Sequence, residues 1–376
     1  MDYGGIKLSA KKIAVLLSAV IAVLMLIGCQ SVSPDPGAVT TKKRETHTAA
    51  GFKYSVSDDG ESCSIVGIET DDVEKIVIPE KLDGFYVREI GWGAFMWHSE
   101  IVNVDIPEGV TAIDECAFYG CTSLLSIDIP DSVTELGTLV FDNCTSLESV
   151  TFGSGLTAIP GCAFYSCRAL RELVIPEGIE TIGEYAFIDC KSLKSIQFPK
   201  SLNFIGSRAF DACSNIDRIV IADLASWLNV AFQDVTSAPN YYGVELWLGD
   251  EQIIDMTVPQ GVEKIGSQAV LGFKQIKSVV IPDGVTSLEI EAFYGCSGIV
   301  SVVIPKSVTL IGTYSFFGAS GLESIFYEGA PSDWAEIEIG SVNDWNRADI
   351  VCFYSSSRPI KQGSYWHYVD GVPTRW

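Results

Sequence analysis

Eleven cysteines, three histidines and 48 acidic residues are the groups in this 376-residue chain whose types could do chemistry. The most suggestive spacing is Cys116-Ala-Phe-Tyr-Gly-Cys121 followed by Cys162-Ala-Phe-Tyr-Ser-Cys167, two C-x4-C pairs that could offer four thiolates to a tetrahedral zinc. Histidine is the commonest general base, yet His47, His98 and His367 stand far apart in the chain. No serine or cysteine has a nucleophile motif around it, and no glycine-rich phosphate loop follows an expected strand. Carboxylates such as Asp105, Asp128 and Glu172 are numerous enough for a glycosidase-like pair, but no spacing selects one. The expectation is therefore a protein that is not an enzyme, with no catalytic residue, metal or cofactor assigned.

The elements that carry these residues recur on a fixed frame. The segment Ile106 to Pro130 returns every 23 residues with the same apolar skeleton. Its marker is Ala117-Phe118, repeated at Ala94-Phe95, Val140-Phe141, Ala163-Phe164, Ala186-Phe187 and Ala209-Phe210, then at Ala269-Val270, Ala292-Phe293 and Ser315-Phe316. Each unit holds two apolar alternations. One is Leu124, Ile127, Ile129, whose last two members face one way on a strand; the other is Val110 and Ile113, after a Pro-x-Gly turn. A 23-residue unit with two extended pieces and two turns leaves no room for a full helix. It must bury its apolar side by stacking on its neighbours.

The cysteine spacing then has a simpler origin. Cys121, Cys144, Cys167, Cys190, Cys213 and Cys296 share one frame position, filled elsewhere by His98, Phe273 and Ala319. Interchange with Phe and Ala marks a buried site where Cys acts as a compact hydrophobe, with disulfides between stacked neighbours as the alternative. Cys116 and Cys162 share a second position, taken elsewhere by Leu139, Tyr185, Arg208, Gln268 and Glu291, which predicts outward, reactive thiols.

The unit resembles the BspA-type leucine-rich repeat, with its pattern of Ile-Pro, Val-Thr, Ala-Phe, Cys and Leu at these spacings. The resemblance covers residues 51–327. It implies a leucine-rich-repeat solenoid, mainly β: a curved right-handed stack of 23-residue coils with a parallel β-sheet on one face and short turns or 3-10 segments on the other. It also implies export, surface exposure, and binding or adhesion to host or matrix proteins.

The ends and interruptions divide the chain further. Lys7, Lys11 and Lys12 precede the apolar run Ile13 to Ile27, which reads as an export signal too short for a membrane span. Leu26-Ile27-Gly28-Cys29 resembles the lipobox of bacterial lipoproteins, which makes 1–28 the signal and Cys29 the lipidated residue that holds the protein on a membrane. An ordinary signal peptide or an uncleaved anchor is the alternative. Residues 29–50 read as a flexible tether, 51–78 as an N-terminal cap, 222–258 as an inserted loop and 328–376 as a C-terminal cap. Asp223 to Val230 resembles Pro331 to Ile337, so one small tryptophan module is used twice, packing Trp227 and Trp334 over the core. In the tail, Asp370-Gly371 between aromatic flanks predicts a hairpin.

With 25 Lys and Arg, a net charge of −23 and 47% hydrophobic residues, the chain has no basic excess for nucleic acid and is too apolar for disorder. The expected contact surface is the exposed strand face, with Glu172, Val174, Gln197, Arg218, Val220, Val280, Val303 and Phe326 as candidates. The stripe Val280, Val303, Phe326 is expected to meet a protein partner, or else to hold valines that merely favour strands. Trp227, Tyr241, Tyr242 and Trp247 are candidate contacts from the inserted loop. A carbohydrate ligand and a purely structural envelope role remain alternatives.

Overall fold

A computed structural model describes residues 45–69, 73–239, 243–343, 351–359 and 363–376. Leader, lipobox and Cys29, together with Tyr241 and Tyr242, lie outside the described residues. Residues 45–376 form one compact unit.

Each coil begins with a strand of three or four residues whose apolar middle residue points inward. Ile127, Leu173, Ile196, Ile219, Val279, Val302 and Ile325 are all buried at this position. Successive strands pair in parallel and in register, Glu172 with Ser195 with Arg218 and Ser278 with Ser301 with Ser324. The 23-residue repeat thus becomes a ladder in which side chains two residues apart line the outside. The opposite face, where turns and 3-10 segments are expected, carries a second parallel ladder of two-residue strands. Ala158–Ile159, Thr181–Ile182, Phe204–Ile205 and Ala231–Phe232 form one stretch of it, and Lys264–Ile265 to Glu338–Ile339 another. No 3-10 helix occurs among the described residues. The second apolar alternation of each unit is the origin of this ladder.

Between the ladders, the Ala-Phe segment runs as consecutive turns that stack on their neighbours. The rings of Phe95, Phe118, Phe141, Phe164, Phe187 and Phe210 form a column with centroids 5.1 to 5.4 Å apart. Backbone bonds follow the same column: the amide of Phe118 donates to the Val140 carbonyl, that of Phe141 to Ala163 and that of Phe164 to Ala186. Each turn needs two left-handed residues, and non-glycine side chains fill many of these positions. Cys116, Leu139, Cys162, Tyr185 and Arg208 have φ of 53 to 59° on the first frame; Asn143, Ser166 and Asp189 have 56 to 63° on the second. Each such residue costs about 1 kcal/mol against an ordinary conformation, a strain the stacked turns must offset.

The ends are closed differently. At the N-terminal end, Thr46–Ala49, Phe52–Val56 and Ser62–Ile68 pair antiparallel, and the last joins the solenoid through Phe85–Ile90. The expected tether therefore stops short of residue 50: Ala50 and Gly51, at φ 51° and 84°, turn the chain so that Thr46–Ala49 becomes an edge strand. His47 packs its ring against Tyr54 there, with centroids 5.4 Å apart. At the C-terminal end the side chain of Asn343 stands in for a missing coil. Its Oδ1 accepts the amide of Phe316 at 2.8 Å, while its Nδ2 donates to the Gly312 and Gly340 carbonyls.

The inserted segment 222–258 is built into the stack more than it protrudes. After the one-turn helix Leu224–Leu228, capped by the Asp223 carboxylate on the Ser226 amide, Ala231–Phe232 extends the second ladder. Glu245–Leu248 then extends the strand face and turns back through Glu251–Gln252. Trp227 is 3% exposed, packs its ring on Phe198 and Phe232, and donates its indole N–H to the Ala269 carbonyl at 2.8 Å. That carbonyl opens the resumed column, where no preceding Phe amide is available. In the second copy of the module, Trp334 packs against the same core, its ring 5.1 Å from Tyr327.

Candidate functional site

The outer strand face is where successive coils bring side chains from distant sequence positions side by side. Between Glu172–Val174 and Glu245–Leu248 four strands pair in register, giving two outward rows: Glu172, Ser195, Arg218, Glu245 and Val174, Gln197, Val220, Trp247. Trp247 belongs to the insertion, yet the ladder sets it directly beside Val220. Gly249 and Asp250, at the tip of the hairpin after it, raise a wall along one side. The result is an open concavity of about 440 Å³, lined by Glu172, Val174, Gln197, Arg218, Val220 and Asp250 among others. Val174 is 56% exposed in it.

Arg218 is the fixed point of this surface. Its guanidinium lies over the Trp247 ring, 4.1 Å from the centroid, and its Nη2 donates to the Gly249 carbonyl at 3.3 Å. Trp247 is held in turn by Glu245, whose Oε2 accepts the indole N–H at 3.0 Å. Cation–π stacking of this kind holds the planar group in one orientation. Five of the eight strand-face candidates, Glu172, Val174, Gln197, Arg218 and Val220, therefore share one surface with Trp247. No signal linked Trp247 to Arg218 in the sequence, because 29 residues and an irregular insertion separate them.

Two of the remaining three candidates are corrected, and the third, Val280, is half-buried at the edge of the same cluster. Val303 and Phe326 are 3% and 7% exposed, and Val280 packs against them. The tail hairpin, Tyr365–Val369 with Val372–Arg375, curls over this end of the face. Trp366 sits 5.3 Å from Phe326 and donates its indole N–H to the Tyr327 carbonyl at 2.8 Å. Arg375 reaches back to the Glu323 carbonyl and the Ser324 hydroxyl. The apolar stripe is real, but this chain's own C-terminus closes over its Val303 and Phe326 end. Trp227 is likewise corrected as a loop contact, being a core residue.

The cysteines divide as the frame predicts in one case and not in the other. Cys121, Cys144, Cys167, Cys190 and Cys213 are buried, and each thiol donates to a Phe carbonyl one coil back, at 3.1 to 3.3 Å. Cys296 does the same to Val270 at 2.8 Å. No disulfide joins any of the ten described cysteines. Cys116 and Cys162, expected outward, are buried as well. They form a separate apolar cluster with Leu139 and Tyr119, onto which Trp97, Tyr165 and Tyr185 fold. These long aromatic side chains on the adjoining turns cover a position that mere frame-sharing with Arg208 and Glu291 made look exposed. Burial, followed by the nearby Glu115, Asp142 and Asp114 carboxylates, pushes the Cys116 thiol up to about 12. The members of each C-x4-C pair thus lie in different clusters, Cys121 and Cys167 in the core column and Cys116 and Cys162 outside it. Among the described residues no group of three His, Cys, Asp or Glu is placed to hold a metal ion, and no helix is long and apolar enough to cross a membrane.

In-register ladders, a phenylalanine column and an open strand face define a leucine-rich repeat scaffold, an architecture suited to binding other proteins. The model for the BspA type leucine rich repeat region matches in six copies, over residues 88–217, 157–241 and 247–357, and the chain belongs to that family. Among solved structures it is similar to a leucine rich cell surface protein from Faecalibacterium prausnitzii A2-165, at 22% identity over 82% of this chain and 98% of that one, with a TM-score of 0.40. A leucine-rich repeat protein from Bacteroides ovatus ATCC 8483 is 22% identical over 82% and 90%, with a TM-score of 0.45. The pneumococcal vaccine antigen PcpA is 15% identical over 83% and 94%, with a TM-score of 0.43. No curated protein matches.

Proposed function

We propose that this protein is an exported, lipid-anchored scaffold that binds a protein ligand, a host, matrix or envelope component, through the strand face between Glu172 and Asp250. The observation that carries the reading is the convergence of Glu172, Val174, Gln197, Arg218 and Val220 in one concavity, with the Arg218 group fixed on Trp247. A rigid ladder presents these side chains at little entropic cost, which favours recognition by preformed shape and charge. Cys29 supplies the membrane attachment, and residues 30–44 the spacer that carries the solenoid away from the bilayer. Stable attachment takes two or more acyl chains. Membership of a family in which surface proteins occur supports outward display.

Two measurements test this. Protease or antibody treatment of intact cells must reach the solenoid, and Cys29→Ser must release the protein from the membrane fraction; protection from the protease, or no change in fractionation, contradicts display or anchoring. The purified protein must capture a protein from a matrix panel and lose it with Val174→Asp plus Val220→Asp. Binding to a glycan array instead would assign the surface to carbohydrate.

A further inference from the structure

The row Glu172, Ser195, Arg218, Glu245 crosses four in-register strands, so its neighbours stand about 4.8 Å apart and Glu172 lies about 10 Å from Arg218. The charges on it are unequally committed. Glu245 accepts from the Trp247 indole. Arg218 spends one Nη2 proton on the Gly249 carbonyl, while its buried Nε has no hydrogen-bond partner. Glu172 is exposed and makes no ion pair among the described residues.

We propose that the concavity recognises an extended, dipolar peptide segment, with an Asp or Glu carboxylate on the free edge of Arg218 and a Lys or Arg three residues away on Glu172. In the polyproline II conformation an extended segment repeats every three residues and advances about 3.1 Å per residue, so side chains three apart share one face about 9 Å apart, the interval between the two groups. A guanidinium held flat on an indole keeps its remaining Nη protons in one plane, where a carboxylate accepts them. The acids Glu172, Glu245 and Asp250 disfavour a uniformly acidic ligand, and Arg218 disfavours a uniformly basic one. Val174 and Val220, one row over, meet the apolar side chain between the charges. The inference rests on the strand face being the contact surface.

The probe is the blocked tetrapeptide acetyl-Lys-Val-Ser-Asp-amide, titrated by calorimetry against the folded protein, with the Gln/Asn, Lys/Lys and Asp/Asp versions beside it. The Lys/Asp peptide must bind at least about tenfold more tightly than the other three, the loss expected for one charge-assisted pair. Arg218→Gln and Glu172→Gln must each lower its affinity by about as much, and the double swap Glu172→Arg with Arg218→Glu must restore it. Equal affinity for the Gln/Asn peptide, a swap that restores nothing, or a dissociation constant above about 10 mM overturns the proposal. Preferential binding of tri-galacturonate overturns it in favour of an acidic sugar. If a partner protein crosslinks through Gln197 while the peptide fails, this inference falls and the strand-face reading stands; if neither occurs, that reading falls too.

Discussion

Replacing Trp227 by Phe removes a side-chain donor that bridges the interrupted repeat. The indole N–H gives 2.8 Å to the Ala269 carbonyl in a site that is 3% exposed, so the truncated variant leaves a buried acceptor unsatisfied. That loss costs about 1–3 kcal/mol. The missing part of the indole also leaves a void against Phe198 and Phe232, worth about 1–2 kcal/mol if the surroundings relax partly. Together the variant must lose about 2–5 kcal/mol, on the scale of a severe core substitution. In a solenoid this loss falls on one junction, because each coil touches only its neighbours. Urea unfolding followed by far-UV circular dichroism and by tryptophan fluorescence must therefore separate into two transitions, as the coils on either side of the insertion uncouple. A variant within about 0.5 kcal/mol of the parent, with coincident transitions, would show that the indole bond does not join the two stretches.

Three other outcomes follow from the same geometry. Arg208 is exposed at φ 53°, so Arg208→Gly must leave stability unchanged or raise it, whereas the β-branched Arg208→Val must lose about 1–2 kcal/mol in thermal unfolding. In a Cys29→Ser protein, Ellman's reagent at pH 8 must leave the native thiols unreacted and titrate them all in guanidinium; burial holds Cys63 at about 11 and Cys116 and Cys296 at about 12, and rapid native labelling would contradict that packing. The Asp131 carboxylate accepts the Ser154 amide at 2.7 Å, which with the Ser154 hydroxyl lowers its pKa below the usual 3.8. Its stabilising effect is present above that value and disappears as the pH falls through the lowered one, so Asp131→Asn must flatten the acid limb of a stability profile measured from pH 6 to 2.

The sequence carried the coil because its causes are local and repeated. The Leu124, Ile127, Ile129 and Val110, Ile113 patterns gave both strands, and the shared frame with Phe273 and Ala319 gave the buried cysteine column. What it did not carry depends on contacts between distant parts. Cys116 and Cys162 share a frame with Arg208, but Tyr119, Tyr165 and Tyr185 decide their burial. Val303 and Phe326 alternate outward as the period requires, yet Trp366, 40 residues beyond Phe326, closes over them. Trp247 reaches Arg218 only because the insertion rejoins the ladder one strand on.

The central claim, that the strand face between Glu172 and Asp250 contacts a protein, is tested most directly by photocrosslinking on intact cells. A benzophenone amino acid placed at exposed Gln197 must yield a defined protein adduct that the same group at exposed Glu180, one residue before the second-ladder strand Thr181–Ile182, does not. Adducts of equal yield from both positions, or from Glu180 alone, would contradict the account.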